Sequence, residues 1–293
     1  MSRVNTRLTP TIDLDAAGKR NGFVRLPWSS HESAYGGPMI PICVVRGGRG
    51  PTVLAVAGNH GDEYEGQIAL MRLIREIEPE EVAGRLIVLP AANFPAVLAG
   101  SRVSPMDGGN LNRSFPGDPE GGPTSMIAHF VETELIARAD AVIDLHSGGT
   151  SLHYLPSTIV ARSADPGRDA ANRAALEAFG TPYGFLVDLK ESRVLIGAAE
   201  RQGVVALNAE LGGGAHVTPA SVARTEGYLR NLLIHFGLVD RRPEDALSGA
   251  VRLMTISGPR YYVYAPEDGI FEPAVDLGDT VGEGDLAGLV HDP

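Results

Sequence analysis

The stretch that most constrains this chain runs from Val53 to Ile74: VLAVAGNHGDEYEGQIALMRLI. It starts as an apolar run of strand length, with Val53, Leu54, Val56 and Ala57. It continues with Ile68, Leu70, Leu73, Ile74 and, just beyond, Ile77 at helical spacing. Between the two lies Gly58-Asn59-His60-Gly61-Asp62-Glu63. A buried strand that turns sharply into a helix is the opening of a βαβ unit. A plain Gly-Asn turn would suffice to reverse the chain, yet this one carries a histidine and two acids.

The pattern repeats. RLIVLPAAN (85–93), DAVIDLH (140–146) and VVALNAELG (204–212) read as further buried strands. Helices are expected at about 64–77, 125–138, 168–179 and 219–236. The last has Thr218 at the N-cap, Pro219 in the first turn and Gly237 just past the end. This alternation predicts an α/β fold, a largely parallel sheet with helices on both faces. From about Arg241 the helical period disappears. Short alternating runs punctuated by Gly, Pro and Asp predict a small β-rich appendage. The expected domains are therefore residues 1–240 and 241–293.

Functional groups in open α/β sheets gather where strands end at their carboxyl edge. Three of the strands end in metal-ligand chemistry: the first at His60 and Glu63, another at His146, a third at Glu210. A His-x-x-Glu pair on a turn can bring one imidazole and one carboxylate to the same ion. His146 would complete a two-histidine, one-carboxylate set that leaves a position open for water, the arrangement of a hydrolytic zinc site. A single histidine at a strand end is more often a hydrogen-bonded turn residue. The combination is stronger, because NHGDE and LHSGG both follow such strands. His129 and His235 fall in helices, and His31 and His291 in polar loops. His153 and His216 lie close to the site segments.

The polar stretch SRVSPMDGGNLNRSFPG is too long for an idle connection. It holds Arg102, Asn110, Asn112 and Arg113, with Leu111 and Phe115 between them to pin it. Of 25 basic residues only Lys19 and Lys190 are lysines. Pinned arginines in a chain of net charge −11 suit recognition of a carboxylate by a planar fork. The same charge, without a basic run, argues against nucleic-acid partners and anionic membranes. Cys43 is the single cysteine, so no internal disulfide forms. With no apolar run of signal-peptide or membrane-span character, the expected home is the cytoplasm.

GNHGDEYEG, NLNRSFPG, DLHSGG and NAELGGG occur in that order. Together they resemble the succinylglutamate desuccinylase/aspartoacylase family of the zinc carboxypeptidase superfamily. The longer stretches GNHGDEYEGQIAL and SPMDGGNLNRSFPGDP are similar to the N-acetyl-diaminobutyrate deacetylases of ectoine breakdown. The resemblance implies a zinc-carboxypeptidase-like mixed sheet and one zinc per chain, bound by His60, Glu63 and His146. It implies Glu210 as general base and acid, Asn112 and Arg113 as holders of the substrate carboxylate, and Arg102 as the polariser of the carbonyl. The implied partner is a small N-acyl amino acid.

Two rival readings stand beside this one. A zinc carboxypeptidase acting on short peptides would use the same parts. A metal-free binding protein would need the ligand pattern to be incidental. A prosthetic-group carrier role for APEDGIFEPAVDLGDTVGEGDLAGLV is excluded, because residues 191–293 contain no lysine. Only its biotinyl-like β architecture remains. That architecture expects a second half, from further chain or from another subunit of a homo-oligomer. For a diaminobutyrate substrate, Asp107, Asp188 and Glu191 are the acids in loops that could meet the ammonium.

Overall fold

Thr52–Ala57 is a strand buried at every residue. An unbroken apolar run demands this, because both of its faces must be covered. The computed structural model describes residues 6–29, 31, 33–189, 192–242, 249–256 and 258–293. In chain order the strands are β1 (Thr9–Pro10), β2 (Gly18–Arg25), β3 (Met39–Arg46), β4 (Thr52–Ala57), β5 (Arg85–Leu89), β6 (Ala141–His146), β7 (Ser157–Ala161), β8 (Tyr183–Val187), β9 (Val205–Glu210), β10 (Arg252–Met254), β11 (Ile270–Pro273) and β12 (Gly288–His291). The helices are α1 (Tyr64–Glu76), α2 (Phe94–Ala99), α3 (Pro123–Phe130), α4 (Pro166–Phe179), α5 (Leu195–Arg201) and α6 (Pro219–His235).

Ten strands form one sheet in the order β1-β2-β3-β5-β4-β6-β9-β7-β8-β10. The central run β5-β4-β6-β9 is parallel, as is β7 with β8. The flank β1-β2-β3-β5 and the pair β9-β7 are antiparallel. Alternation along β4 divides the core in two. Leu54 and Val56 pack with Ile127, Phe130 and Leu195 on one face. Val53, Ala55 and Ala57 pack with Leu70, Leu176 and Leu229 on the other. Helices α3 and α5 therefore cover one face, and α1, α4 and α6 the opposite one. The mixed sheet with helices on both faces matches the sequence expectation.

Local chemistry sets the element ends. The Thr218 hydroxyl accepts the Ser221 N–H at 3.0 Å and the Ser221 hydroxyl accepts the Thr218 N–H at 3.0 Å, which caps α6. Gly237 follows it with φ of 67°, the left-handed conformation that lets a helix stop. Asp107 accepts both the N–H and the hydroxyl of Thr124, at 2.8 and 2.7 Å, and so holds the start of α3. The helix expected over 125–138 is regular only to Phe130. It then widens into a π turn at Val131–Leu135 and tightens at Ile136–Arg138.

The chain divides into two compact units, Met1–Leu253 and Met254–Pro293. Arg252 N–H donates to Pro182 O at 2.9 Å, so part of the stretch after Arg241 belongs to the first unit. Residues 243–248 of that stretch lie outside the described residues. In the second unit β11 and β12 pair antiparallel, with Ile270 opposite His291. No helix among the described residues is long and apolar enough to cross a membrane.

The long polar loop is pinned as its sequence suggests, for Leu111 and Phe115 are both fully buried. Phe115→Ala would leave a cavity in the layer under α3. The expected cost is about 3–5 kcal/mol, the range for aromatic truncation in a packed core. Denaturant unfolding measures it, and a loss below about 1 kcal/mol would show that the loop is held elsewhere.

Candidate active site

Parallel strands deliver the groups to one edge. Ala57 at the end of β4 lies opposite Leu145 of β6, and His146 lies opposite Glu210 of β9. The turn after β4 carries His60 to the same place. The turn is tight: a Cβ on Gly61 would sit 1.9 Å from the Ala96 carbonyl oxygen. Only glycine fits without moving α2. Gln67 on α1 steadies the turn from behind, donating to the carbonyls of Glu63 at 2.8 Å and Gly61 at 3.2 Å.

Glu63 lies between two imidazoles. Its Oε1 is 2.6 Å from His60 Nδ1, and its Oε2 is 2.8 Å from His146 Nδ1. The opposite ring nitrogens are already engaged. His60 Nε2 lies 3.1 Å from Asn110 Oδ1 and His146 Nε2 lies 2.9 Å from Asp144 Oδ2, and with its proton on Nε2 each ring donates there. In those tautomers both Nδ1 atoms present lone pairs to a carboxylate. Acceptors facing acceptors at such distances require positive charge, as an added proton on the rings or as one cation between them. The three residues are each about 3% exposed, and their ligand atoms lie within 4.8 Å of one another. This group could hold a metal ion. Two imidazoles and a carboxylate suit zinc, and outer partners such as Asp144 and Asn110 are what fix ring orientation in metal sites.

The electrostatics agree with that chemistry. Burial raises the Glu63 pKa, but the charges and hydrogen bonds of His146 and His60 outweigh it and hold the carboxyl at about 2. Burial lowers the His146 pKa, yet Asp144 and Glu63 together carry it well above the usual histidine value. Two carboxylates therefore hold a proton on that ring, and a bound cation would release it. Burial pushes the Glu210 carboxyl up to about 8; His146 pulls it down, and Glu63 and Asp144 push it up. Glu210 Oε2 is buried and has no hydrogen-bond partner among the described residues. Such a carboxyl can take and return a proton near neutrality.

The polar loop supplies the rest. Arg102 Nη1 stands 3.5 Å from Glu63 Oε1 and 3.4 Å from His60 Nδ1, on a side chain 46% exposed. Asn112 is buried. Its Oδ1 accepts the Leu195 N–H at 2.8 Å, and its Nδ2 is 3.4 Å from His146 Nε2. Arg113 is exposed and joins the group through Asn112, donating from Nη1 to the Asn112 carbonyl at 2.6 Å. Asp107 is engaged with Thr124 and with Gly109 N–H. Asp188 follows β8, and Glu191 lies outside the described residues.

A family model of the succinylglutamate desuccinylase/aspartoacylase catalytic domain matches residues 49–236. The chain belongs to this family. As a succinylglutamate desuccinylase/aspartoacylase family member, it is 43% identical over 288 residues to the N-alpha-acetyl-L-2,4-diaminobutyric acid deacetylase of Halomonas elongata. That match spans 97% of this chain and 83% of the relative. The crystal structure of a succinylglutamate desuccinylase/aspartoacylase from Rhodobacter sphaeroides superposes with a TM-score of 0.91 at 41% identity, over 98% of this chain and 87% of that one. The product-bound structure of the ectoine utilization protein EutE from Ruegeria pomeroyi gives 0.92 at 42% identity, over 98% and 87%.

Sequence reasoning missed two residues of this family member's site. Asp144 receives His146 and also Asn59 Nδ2, at 2.7 Å. The signal was present in DLH, since residues two apart on a strand share a face. Asn59 carried no signal beyond turn chemistry, because its role depends on β6 lying beside β4.

Proposed function

We propose that this chain hydrolyses the amide bond of a small N-acyl amino acid, with N-acetyl-L-2,4-diaminobutyrate as the substrate that suits it best. The reading rests on one observation: two buried imidazole nitrogens converge on one buried carboxylate, at 2.6 and 2.8 Å, beside Glu210. The 43% identity to a deacetylase of that substrate supports the choice. His60, Glu63 and His146 would hold one zinc per chain. When bound, the metal would supply Lewis acidity, which brings a water's pKa from 15.7 to about 7.

The chain's own groups account for the proton and the charge. Glu210 takes the proton of the water whose oxygen attacks the acyl carbonyl carbon. It returns that proton to the amide nitrogen as the C–N bond breaks, leaving acetate and the free amine. Arg102 donates to the carbonyl oxygen as negative charge grows there. The amide oxygen of Asn112 accepts Leu195 N–H, which fixes the side chain so that its Nδ2 donor would join the fork of Arg113 in holding the substrate carboxylate. The deciding experiment is a panel of N-acetyl, N-succinyl and N-formyl amino acids and short C-terminal peptides, with and without chelator. Turnover of the peptides and not of the acyl amino acids would establish a peptidase instead.

The two arginines separate binding from chemistry. Arg113 grips a carboxylate that is present in ground and transition states alike. A charge-assisted contact contributes about 1.5–3 kcal/mol, so Arg113→Ala should raise KM roughly 10–100-fold with a smaller change in kcat. Arg113→Lys should restore only part of this, because a point charge lacks the fork. Arg102→Ala should lower kcat about 10²–10³-fold with KM nearly unchanged, as for loss of an oxyanion donor. Steady-state kinetics read both. An analogue whose carboxylate is replaced by an amide should be a poor substrate, and no poorer for Arg113→Ala. Equal turnover of acid and amide would remove the carboxylate anchor.

A further inference from the structure

Glu210 is held in an unusual way. Its Oε2 is buried without a partner among the described residues, so the backbone that carries it must aim it. That backbone is Glu210–Gly213. Leu211 N–H donates to His146 O at 3.0 Å, and Gly212 O accepts from Gly148 N–H at 3.0 Å and Tyr154 N–H at 2.9 Å. These bonds fix it from the β6 side. The opposing wall is a carboxylate that the reaction does not use. Glu65, on the first turn of α1 and 2% exposed, accepts Gly213 N–H on Oε1 at 3.2 Å. The fit is close: a Cβ on Gly212 would lie 2.7 Å from that same oxygen. Gly212 takes φ of 135° and Gly213 of 116°, conformations that other residues rarely adopt. Two glycines in such conformations depend on their hydrogen bonds to hold them, and a buried carboxyl is a costly polar group to keep there without a task.

We infer that Glu65 is a positioning residue for Glu210, fixing the Gly212–Gly213 backbone so that the unpartnered carboxyl faces the reacting water. It rests on the reading of Glu210 as the base. The turn just before α1 serves the neighbouring loop in like manner, for Asp62 accepts the N–H and hydroxyl of Thr150 at 2.9 and 3.0 Å. Within a few residues of His60 and Glu63, two acids, Asp62 and Glu65, therefore fasten the loops following β6 and β9.

The test is a double-mutant cycle in the metal-loaded enzyme. Glu65→Ala should lower kcat about 10–100-fold, with KM and metal content near wild type. Glu65→Gln keeps an oxygen acceptor for Gly213 N–H and should recover most of the loss. In a Glu210→Gln background, Glu65→Ala should cost almost nothing further, because there is no base left to aim. Losses that multiply in the double mutant, or a Gln variant as poor as Ala, would overturn the inference. If Glu210→Gln alone turns over normally, the assignment of the base fails instead. If Glu65→Ala fails to fold, the Gln variant and its cycle with Glu210→Gln carry the test: a Gln variant well below wild type whose loss persists in the Glu210→Gln background would overturn it equally.

Discussion

His60→Ala and His146→Ala are each expected to strip the protein of metal and abolish hydrolysis. Glu63 offers one carboxylate, and each of its oxygens already faces one imidazole nitrogen. Removing either ring leaves two protein ligands, one fewer than catalytic zinc sites use. The expected result after dialysis is metal content far below one per chain, with activity reduced by at least about 10³-fold, since the lowered water pKa is lost with the ion. Asp144→Ala gives the graded control. It leaves all three ligands but frees His146 Nε2, and outer-shell losses of this kind typically cost 10–100-fold in metal affinity. A chelator titration should rank wild type above Asp144→Ala, and Asp144→Ala above either histidine variant. Full metal occupancy in both histidine variants would sink the ligand assignment.

The positions of the clustered residues His60, Glu63 and His146 were legible in the sequence because each sits where a period changes. His60 and Glu63 interrupt a run that is strand-like before them and helical after. His146 and Glu210 close apolar strands, and short-range pattern suffices to see that. The inner face of α1 was legible only in part. Helical spacing picked out Ile68, Leu70, Leu73, Ile74 and Ile77, of which Leu70 and Ile77 are buried, but it did not mark Glu65, Gly66 and Gln67, which the helix also buries. The first half of α1 packs against the site, where loop amides need acceptors, and a Cβ on Gly66 would lie 2.5 Å from Leu145 Cβ. Polar burial of this kind is decided by partners far away in sequence, such as Gly213. The outer strand β2 escaped for the opposite reason: GKRNGFVR is half-exposed near the sheet edge and carries little apolar alternation. Its pairing with β3 along the whole length of both is a tertiary fact. The short helix α5 was equally silent, yet its Leu195 N–H is what holds Asn112 in place.

Glu210→Gln should separate metal binding from turnover. Gln keeps the shape of the side chain and adds no charge, so the metal is expected to stay. It cannot accept the proton of water, and kcat should fall by about 10²–10⁴-fold, the range for general acid–base catalysis. The pH profile makes the test specific. A base works only when deprotonated, so kcat/KM should rise with pH through the Glu210 pKa and level off above it. Burial and the carboxylates of Glu63 and Asp144 put that pKa at about 8 without a bound cation. A cation a short distance away favours the charged carboxylate, which moves the rise below pH 8 in the loaded enzyme. In Glu210→Gln the residual activity should lose that limb altogether. A variant that keeps both the metal and the limb would assign the proton transfer to another group.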